Sequence, residues 1–243
     1  MNIMQHPVNS YNQPLGQALP EWTTRPIPPK IVINGQYCRL EPINSKKHTE
    51  DLYQAYYTNV PDARDWTYLS KDRPQSKDEY AHLVKEMEES TDFHHYAVID
   101  IKSGQAVGTL AFMRIQPEYG VLEIGFVNFS PRLSKHTAAT EAVFLMLKYA
   151  FDDLGYRRCE WKTDSLNSRS RDAAKRFGFH YEGLFRKDMV RKQRSRDTLW
   201  FSMIEDEWPQ IKKTYETWLN PNNFDADGNQ LTRLDTNISQ NNR

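Results

Sequence analysis

Residues 121–142, VLEIGFVNFSPRLSKHTAATEA, and residues 167–183, NSRSRDAAKRFGFHYEG, decide how this chain reads. VLEIGFVNF has the β-branched and aromatic content of a strand. It passes through a polar turn into an amphipathic helix expected from about Thr137 to Leu154, with Ala142, Leu145, Met146 and Tyr149 on one face and Gly155 as the stop. Arg158–Thr163 reads as the next strand and Ser168–Phe177, stopped by Gly178, as the next helix. This order sets a helix N-terminus against a sheet edge. Such a terminus offers unpaired N–H groups and a partial positive charge, a natural seat for pyrophosphate.

Outward from this segment the apolar pattern alternates between the strand and helix periods, the mark of mixed α/β architecture. HHYAVID, QAVGTLAFMRI and VLEIGFVNF, joined by turns at Ser103-Gly104 and Glu118–Gly120, form an antiparallel meander. Two helices precede it. One runs from Ser45 to Tyr57 behind a serine cap. The other follows Ser76, which with Glu79 makes a capping-box pattern ahead of the stripe Tyr80, Leu83, Val84 and Met87. The first strand spans Ile31–Ile43 with a turn at Asn34-Gly35, and strands at Tyr181–Val190 and Thr198–Ile204 flank the basic turn RKQRSR. A helix over Trp208–Leu219 closes a domain of residues 31–219. Residues 1–30, rich in Asn, Gln and Pro, are expected to be extended and weakly packed, and 220–243 to form a similar polar tail.

Bulk properties exclude several classes. Lys plus Arg equals Asp plus Glu at 32 each, so no global field argues for nucleic acid or an anionic membrane. No apolar run is long enough to span a bilayer, and the first residues lack the order of a signal peptide. Cys38 and Cys159, both in strand-like runs without metal spacing, read as buried thiols of a reduced, cytoplasmic protein. His94-His95 has no third ligand at metal spacing, so no metal site is expected. The scattered tryptophans are expected in the core and at its rim, and the 192–196 turn, KQRSR, as a solvated hairpin tip or a contact for an acidic partner.

The two quoted segments resemble the GNAT N-acetyltransferase superfamily, in particular the branch of Rim-type ribosomal-protein N-acetyltransferases. The family's Arg/Gln-x-x-Gly-x-Gly/Ala turn aligns with Ser134, Lys135, His136, Thr137, Ala138 and Ala139, followed by Thr140-Glu141-Ala142. Ser134 replaces a longer polar residue, and Thr137 replaces a glycine but brings a hydroxyl able to cap the helix or donate to phosphate. An ordinary capped helix is the alternative for this hexamer taken alone. Asn167-Ser168-Arg169-Ser170, with Ala173, Gly178-Phe179 and Glu182-Gly183, resembles the family's Asn-x-x-Ser run. There the Asn contacts the pantetheine arm or acetyl region, and the Ser lies near the sulfur. The resemblance covers about Ile31–Asp206. It implies a mixed, mostly antiparallel sheet of about seven strands flanked by helices. It also implies acetyl-CoA as co-substrate, held at Ser134–Ala139, Asn167 and Ser170.

Acetyl transfer to an amine needs a neutral amine, donors for the oxygen that gains charge, and a proton for the departing thiolate. The resemblance places a general base at Glu123 and backbone N–H donors at Val127, Asn128 and Phe129, where two strands splay, and it makes Ser170 the candidate acid. Strand alternation puts Glu123 on one face with Gly125 and Val127, opposite Leu122, Ile124 and Phe126. Some Rim-type enzymes carry the base shortly after Glu-Gly, where this chain has Asp188 and Met189. An α-amine with pKa near 8 costs about 1 kcal/mol to deprotonate at pH 7 and a lysine nearly 5, so a modest base suits an α-amine. The Rim-type resemblance implies a protein or peptide N-terminus as the acceptor. A small-molecule amine, or CoA binding without catalysis, are the other readings. The acceptor groove is expected from residues 45–75 and the loop before Thr198, with no membrane or nucleic acid partner. Related folds often pair as homodimers.

Overall fold

The computed structural model describes residues 7–58, 60 and 62–236. Its sheet has eight strands in the order β1 (Ile33–Asn34), β2 (Cys38–Pro42), β3 (His94–Asp100), β4 (Ala106–Gln116), β5 (Val121–Phe129), β6 (Arg158–Asp164), β8 (Arg194–Ile204) and β7 (His180–Arg191). All neighbours are antiparallel except β5 and β6. The eighth strand arises at Asn34-Gly35. The first strand expected over Ile31–Ile43 divides into two at its expected turn, pairing Ile33 with Leu40. A Cβ on Gly35 would lie 2.6 Å from Glu141 Oε2, so only glycine fits this turn.

Helices cover the two faces unequally. Tyr96, Val98, Leu110, Phe112, Leu122 and Ile124 point to one side. There they pack with α3 (Thr137–Lys148), which continues into a π turn at Tyr149–Asp153, and with α5 (Trp208–Trp218). Ala97, Ile99 and Ala106 point to the other, against α1 (Ser45–Tyr57) and α2 (Lys77–Glu89). Between β6 and β7 lies α4 (Ser168–Arg176). Asn44, one residue before the expected serine, caps α1 by accepting from Lys47 N. Ser45 instead donates its N–H and hydroxyl to Glu88 at the end of α2. Ser76 caps α2 as expected, accepting from Glu79 N at 3.2 Å.

The terminal segments are held more firmly than their composition suggests. Trp22 donates its indole N–H to Glu118 O, and the hydroxyls of Tyr156 and Tyr149 donate to Pro26 O and Pro29 O. The segment stays extended, but buried tyrosines pin it because each phenol needs an acceptor. At the other end Leu234 enters the core, and Thr236 donates to Arg176 O at the end of α4.

Candidate active site

The site begins where the sheet opens. β5 and β6 pair only through Val121–Arg158, Leu122–Cys159 and Glu123–Glu160, and beyond these three pairs they diverge. From Ile124 onward β5 is laddered only to β4, so its alternate backbone groups face the gap. A bulge lies in the same stretch. Ala111 pairs with Gly125 but Thr109 with Asn128, which inserts one residue into β5, and Phe126 has φ +48°. The expected alternation fails at this point. Phe126 turns to the face of Glu123, its ring 5.0 Å from Phe93 and 5.2 Å from His95, while Val127 and Phe129 pack against the α3 core. Tyr56 of α1 donates its hydroxyl to Asn128 O and so anchors the bulged strand.

Past the open end of β5 the chain turns at Ser130–His136 into α3. Lys135 adopts φ +66°, and the N–H groups of Leu133, Ser134 and His136 are used inside the turn. The backbone N–H groups of Lys135 and Thr137 make no hydrogen bond to any described residue. His136, not Thr137, caps the helix: its Nδ1 accepts from Ala138 N at 3.3 Å, which leaves the Thr137 hydroxyl for other partners. Ser130 Oγ, fully buried beside this turn, has no partner either. Free donors at a helix start, next to a left-handed residue, form the concave amide arrangement that suits a phosphate.

Asn167 and Ser170 sit at the start of α4. Asn167 Oδ1 accepts from Ser170 N at 3.1 Å, a helix cap that uses its side-chain oxygen. Ser170 Oγ accepts from Trp161 Nε1 at 3.0 Å. Because an indole N–H can only donate, the serine proton remains available to a third group.

Glu123 is buried, 4% exposed, on the face opposite the α3 core. Lys162 Nζ and Arg114 Nε each lie 3.2 Å from Oε2, yet off hydrogen-bonding alignment, so that oxygen has no hydrogen-bond partner. Burial pushes its carboxyl pKa up, against the pull of Lys162 and Arg114. Lys162 also pairs with Glu160 at 2.6 Å and lies 3.6 Å over the Trp200 ring. Asp188, the other expected base position, is exposed.

The open face of β6, β8 and β7 is overhung by the segment between α1 and α2. Lys192 Nζ donates to Trp66 O and pairs with Asp72 at 2.8 Å, Arg169 pairs with Asp65 at 2.6 Å, and Tyr68 donates to Leu166 O. Within the KQRSR turn Gln193, Arg194 and Ser195 are exposed as expected of a hairpin tip, while Lys192 is tied to the α1–α2 segment. Arg196 of this turn is 7% exposed, and neither Arg196 nor Arg191 has a carboxylate within ion-pair distance among the described residues. Composition gave no sign of these two arginines as site residues, because a basic hairpin tip usually faces water. A cavity of about 310 Å³ lined by Tyr119, Val121, Arg157, Arg158, Ile204, Glu205 and Asp206 lies at the paired end of β5 and β6, away from the gap.

An opened sheet with free helix-start amides beside the opening makes a seat for a phosphorylated ligand at a sheet edge. Residues 38–180 match the Acetyltransferase (GNAT) domain family, and the chain belongs to that family. The family uses acetyl-CoA. The chain resembles the crystal structure of a GCN5-related N-acetyltransferase from Brucella melitensis, with 44% identity, TM-score 0.86, and 89% of this chain and 97% of that one covered. A probable GNAT-family acetyltransferase from Chromobacterium violaceum ATCC 12472 matches at 38% identity and TM-score 0.74, over 81% of this chain and 98% of that one. An uncharacterized N-acetyltransferase, p20, of Bacillus licheniformis is 27% identical over 52% of this chain and 70% of its own. Among the described residues no three His, Cys, Asp or Glu are grouped to hold a metal, and no helix is long and apolar enough to cross a membrane.

Proposed function

We propose that this chain transfers the acetyl group of acetyl-CoA to a primary amine, in the first instance the N-terminal α-amine of a protein or peptide, in the cytoplasm. The observation that carries the reading is the juxtaposition of the three-pair opening between β5 and β6 with the unpartnered amides of Lys135 and Thr137. These residues fit the cofactor: the turn would hold its pyrophosphate and the gap its pantetheine arm. Bound there, acetyl-CoA supplies an activated acyl carbon and a thiolate leaving group. The gap-facing backbone donors of Val127–Phe129 would stabilise the oxygen that gains charge. Glu123, buried with a raised pKa, would accept the amine proton, directly or through water. The free proton of Ser170 would go toward the sulfur.

A peptide acceptor is supported by the modest cost of deprotonating an α-amine and by the long segment overhanging the β8 face. The test is calorimetry and thiol release with N-terminal peptides, polyamines, amino acids and aminoglycosides. Thr137→Glu, which sets a carboxylate where the pyrophosphate would lie, is expected to weaken CoA binding at least tenfold, about 1.4 kcal/mol, with the fold intact. Unchanged CoA affinity in a folded Thr137→Glu protein would move the phosphate turn elsewhere.

A further inference from the structure

The face of the sheet that carries Glu123 also holds two arginines without a paired carboxylate among the described residues. Arg196, 93% buried by its 7% exposure, spends only Nε inside the chain, donating to Thr198 Oγ1 at 3.1 Å. Its terminal guanidinium nitrogens meet no acceptor among the described residues, although Asp164, Asp188 and Glu123 are near enough to act on its charge. Arg191, half-buried on the neighbouring strand, reaches only Tyr68 O at a long 3.5 Å. Its charge also interacts with Asp164 and Glu123, and with Arg114. The indole N–H of Trp200, on the same strand and face as Arg196, is buried without an acceptor.

The local carboxylates do not pair with these arginines. Glu160 is shared between Lys162 and Arg158, and Glu123 is flanked by Lys162 and Arg114, while Asp164 and Asp188 act on the arginines only from beyond ion-pair distance. An arginine held this deeply with its terminal nitrogens open and without an anion is a ready partner for a carboxylate or phosphate, which a guanidinium fork takes through two parallel bonds. Arg196 and Arg191 flank the turn of this hairpin, whose Arg191 and Lys192 reach Tyr68 O and Trp66 O of the α1–α2 segment.

From this geometry we infer that Arg196 and Arg191 form an anion subsite of the acceptor groove, and that the preferred acceptor carries a carboxylate within one or two residues of its reacting amine. The inference rests on the acetyltransferase reading, since it makes the groove an amine site. It adds to that reading an acidic side chain near the peptide N-terminus. The anion docks on the arginines and leaves the amine at the Glu123 end of the same face. A free acidic amino acid offers the same chemistry without the rest of a peptide.

Binding is measured separately from turnover, with matched peptides beginning Ser-Glu and Ser-Gln and with glutamate, each titrated calorimetrically into CoA-loaded protein. The Ser-Glu peptide is expected to bind at least tenfold more tightly than Ser-Gln. That preference should fall to within about twofold in Arg196→Gln and weaken in Arg191→Gln, with CoA affinity unchanged. Arg196→Lys, which keeps the charge but not the fork, should retain part of it. Glutamate binding that is lost in Arg196→Gln would support the same subsite with a small-molecule source. Equal affinity of wild type for Ser-Glu and Ser-Gln overturns the inference even if both are acetylated. If Arg196→Gln fails to fold by circular dichroism, Arg191→Gln decides, and an undiminished preference there overturns it. Absence of turnover on every amine, with the acid preference intact, would instead sink the transferase reading and leave the subsite standing.

Discussion

Replacing Glu141 should loosen the joint between α3 and the first hairpin, and the size of the effect can be worked from its contacts. The carboxylate is 4% exposed and accepts three backbone N–H bonds, from Gln36 to Oε1 and from Tyr37 and Cys38 to Oε2, each at 2.7 Å. Bonds to a charged acceptor are worth about 1.5–3 kcal/mol each. In Glu141→Leu, water can replace the acceptor for Gln36, which is exposed, and partly for Tyr37, while the amide of buried Cys38 is left dry. One stranded donor at about 1–3 kcal/mol plus two weakened bonds gives a loss of about 4 kcal/mol. For a domain of this size, with a urea slope of about 3 kcal/mol per molar, the unfolding midpoint should fall by more than about 1 M. Glu141→Gln keeps one acceptor oxygen and should lose about half as much. Gly35→Ala, whose Cβ would sit 2.6 Å from Glu141 Oε2, should resemble the Gln variant. Urea unfolding followed by circular dichroism measures all three. A midpoint shift under about 0.3 M in Glu141→Leu, at unchanged slope, would refute the idea that this carboxylate organises the turn.

Glu123→Gln should lower kcat/KM by about a hundredfold or more and flatten the acid limb of the pH–rate profile, which in wild type should lie above the ordinary carboxylate range because burial raises that pKa. Wild-type rates in this variant would pass the base role to Asp188 or to solvent. Ser170→Ala should lower kcat about tenfold with little change in KM for acetyl-CoA, and should cost about 1 kcal/mol of stability because Trp161 Nε1 loses its acceptor. An unchanged kcat would reduce Ser170 to a helix-start residue. Burial, with the charges of Lys30 and His94, pushes the His95 pKa down to about 4, so the folded protein holds this ring neutral. The unfolded chain binds a proton near pH 6.5 that the folded chain takes up only near 4. The stability this neutral ring contributes is complete above 6.5 and lost as pH falls through that window, by about 3 kcal/mol. His95→Phe should remove that slope in urea titrations at pH 7.5 and 4.5, and equal slopes in both proteins would contradict it.

Local signals were the legible ones. Ser76 caps its helix, the two motifs fall at the starts of α3 and α4, and the elements follow one another along the chain as read, because each of these depends on residues within one or two turns of each other. The splay between two strands beside Val127–Phe129 was expected from family likeness and is present where β5 leaves β6. What escaped depends on distant partners. The N–H groups bound by Glu141 are more than a hundred residues away, and the tyrosines that fix the N-terminal segment find Pro26 and Pro29 across the fold. The bulge at Phe126 broke the alternation argument, since one inserted residue reverses every face after it. Arg196 looked like surface until the α1–α2 segment was seen to reach its hairpin.

The three-pair join between β5 and β6 also governs how the molecule comes apart. On one side lies the five-stranded sheet β1 to β5, and on the other a three-stranded sheet of β6, β8 and β7, each held together internally by ladders longer than this join apart from the short β1. Parting them breaks few backbone bonds, so a sub-global opening along that line should need less free energy than unfolding the whole, and amide hydrogen exchange should read it as two units. A cofactor lodged in the wedge would touch both halves and raise that opening energy, by about 2.7 kcal/mol at a hundred times its Kd. The acyl donor would then also be the fastener that makes the two sheets exchange as one.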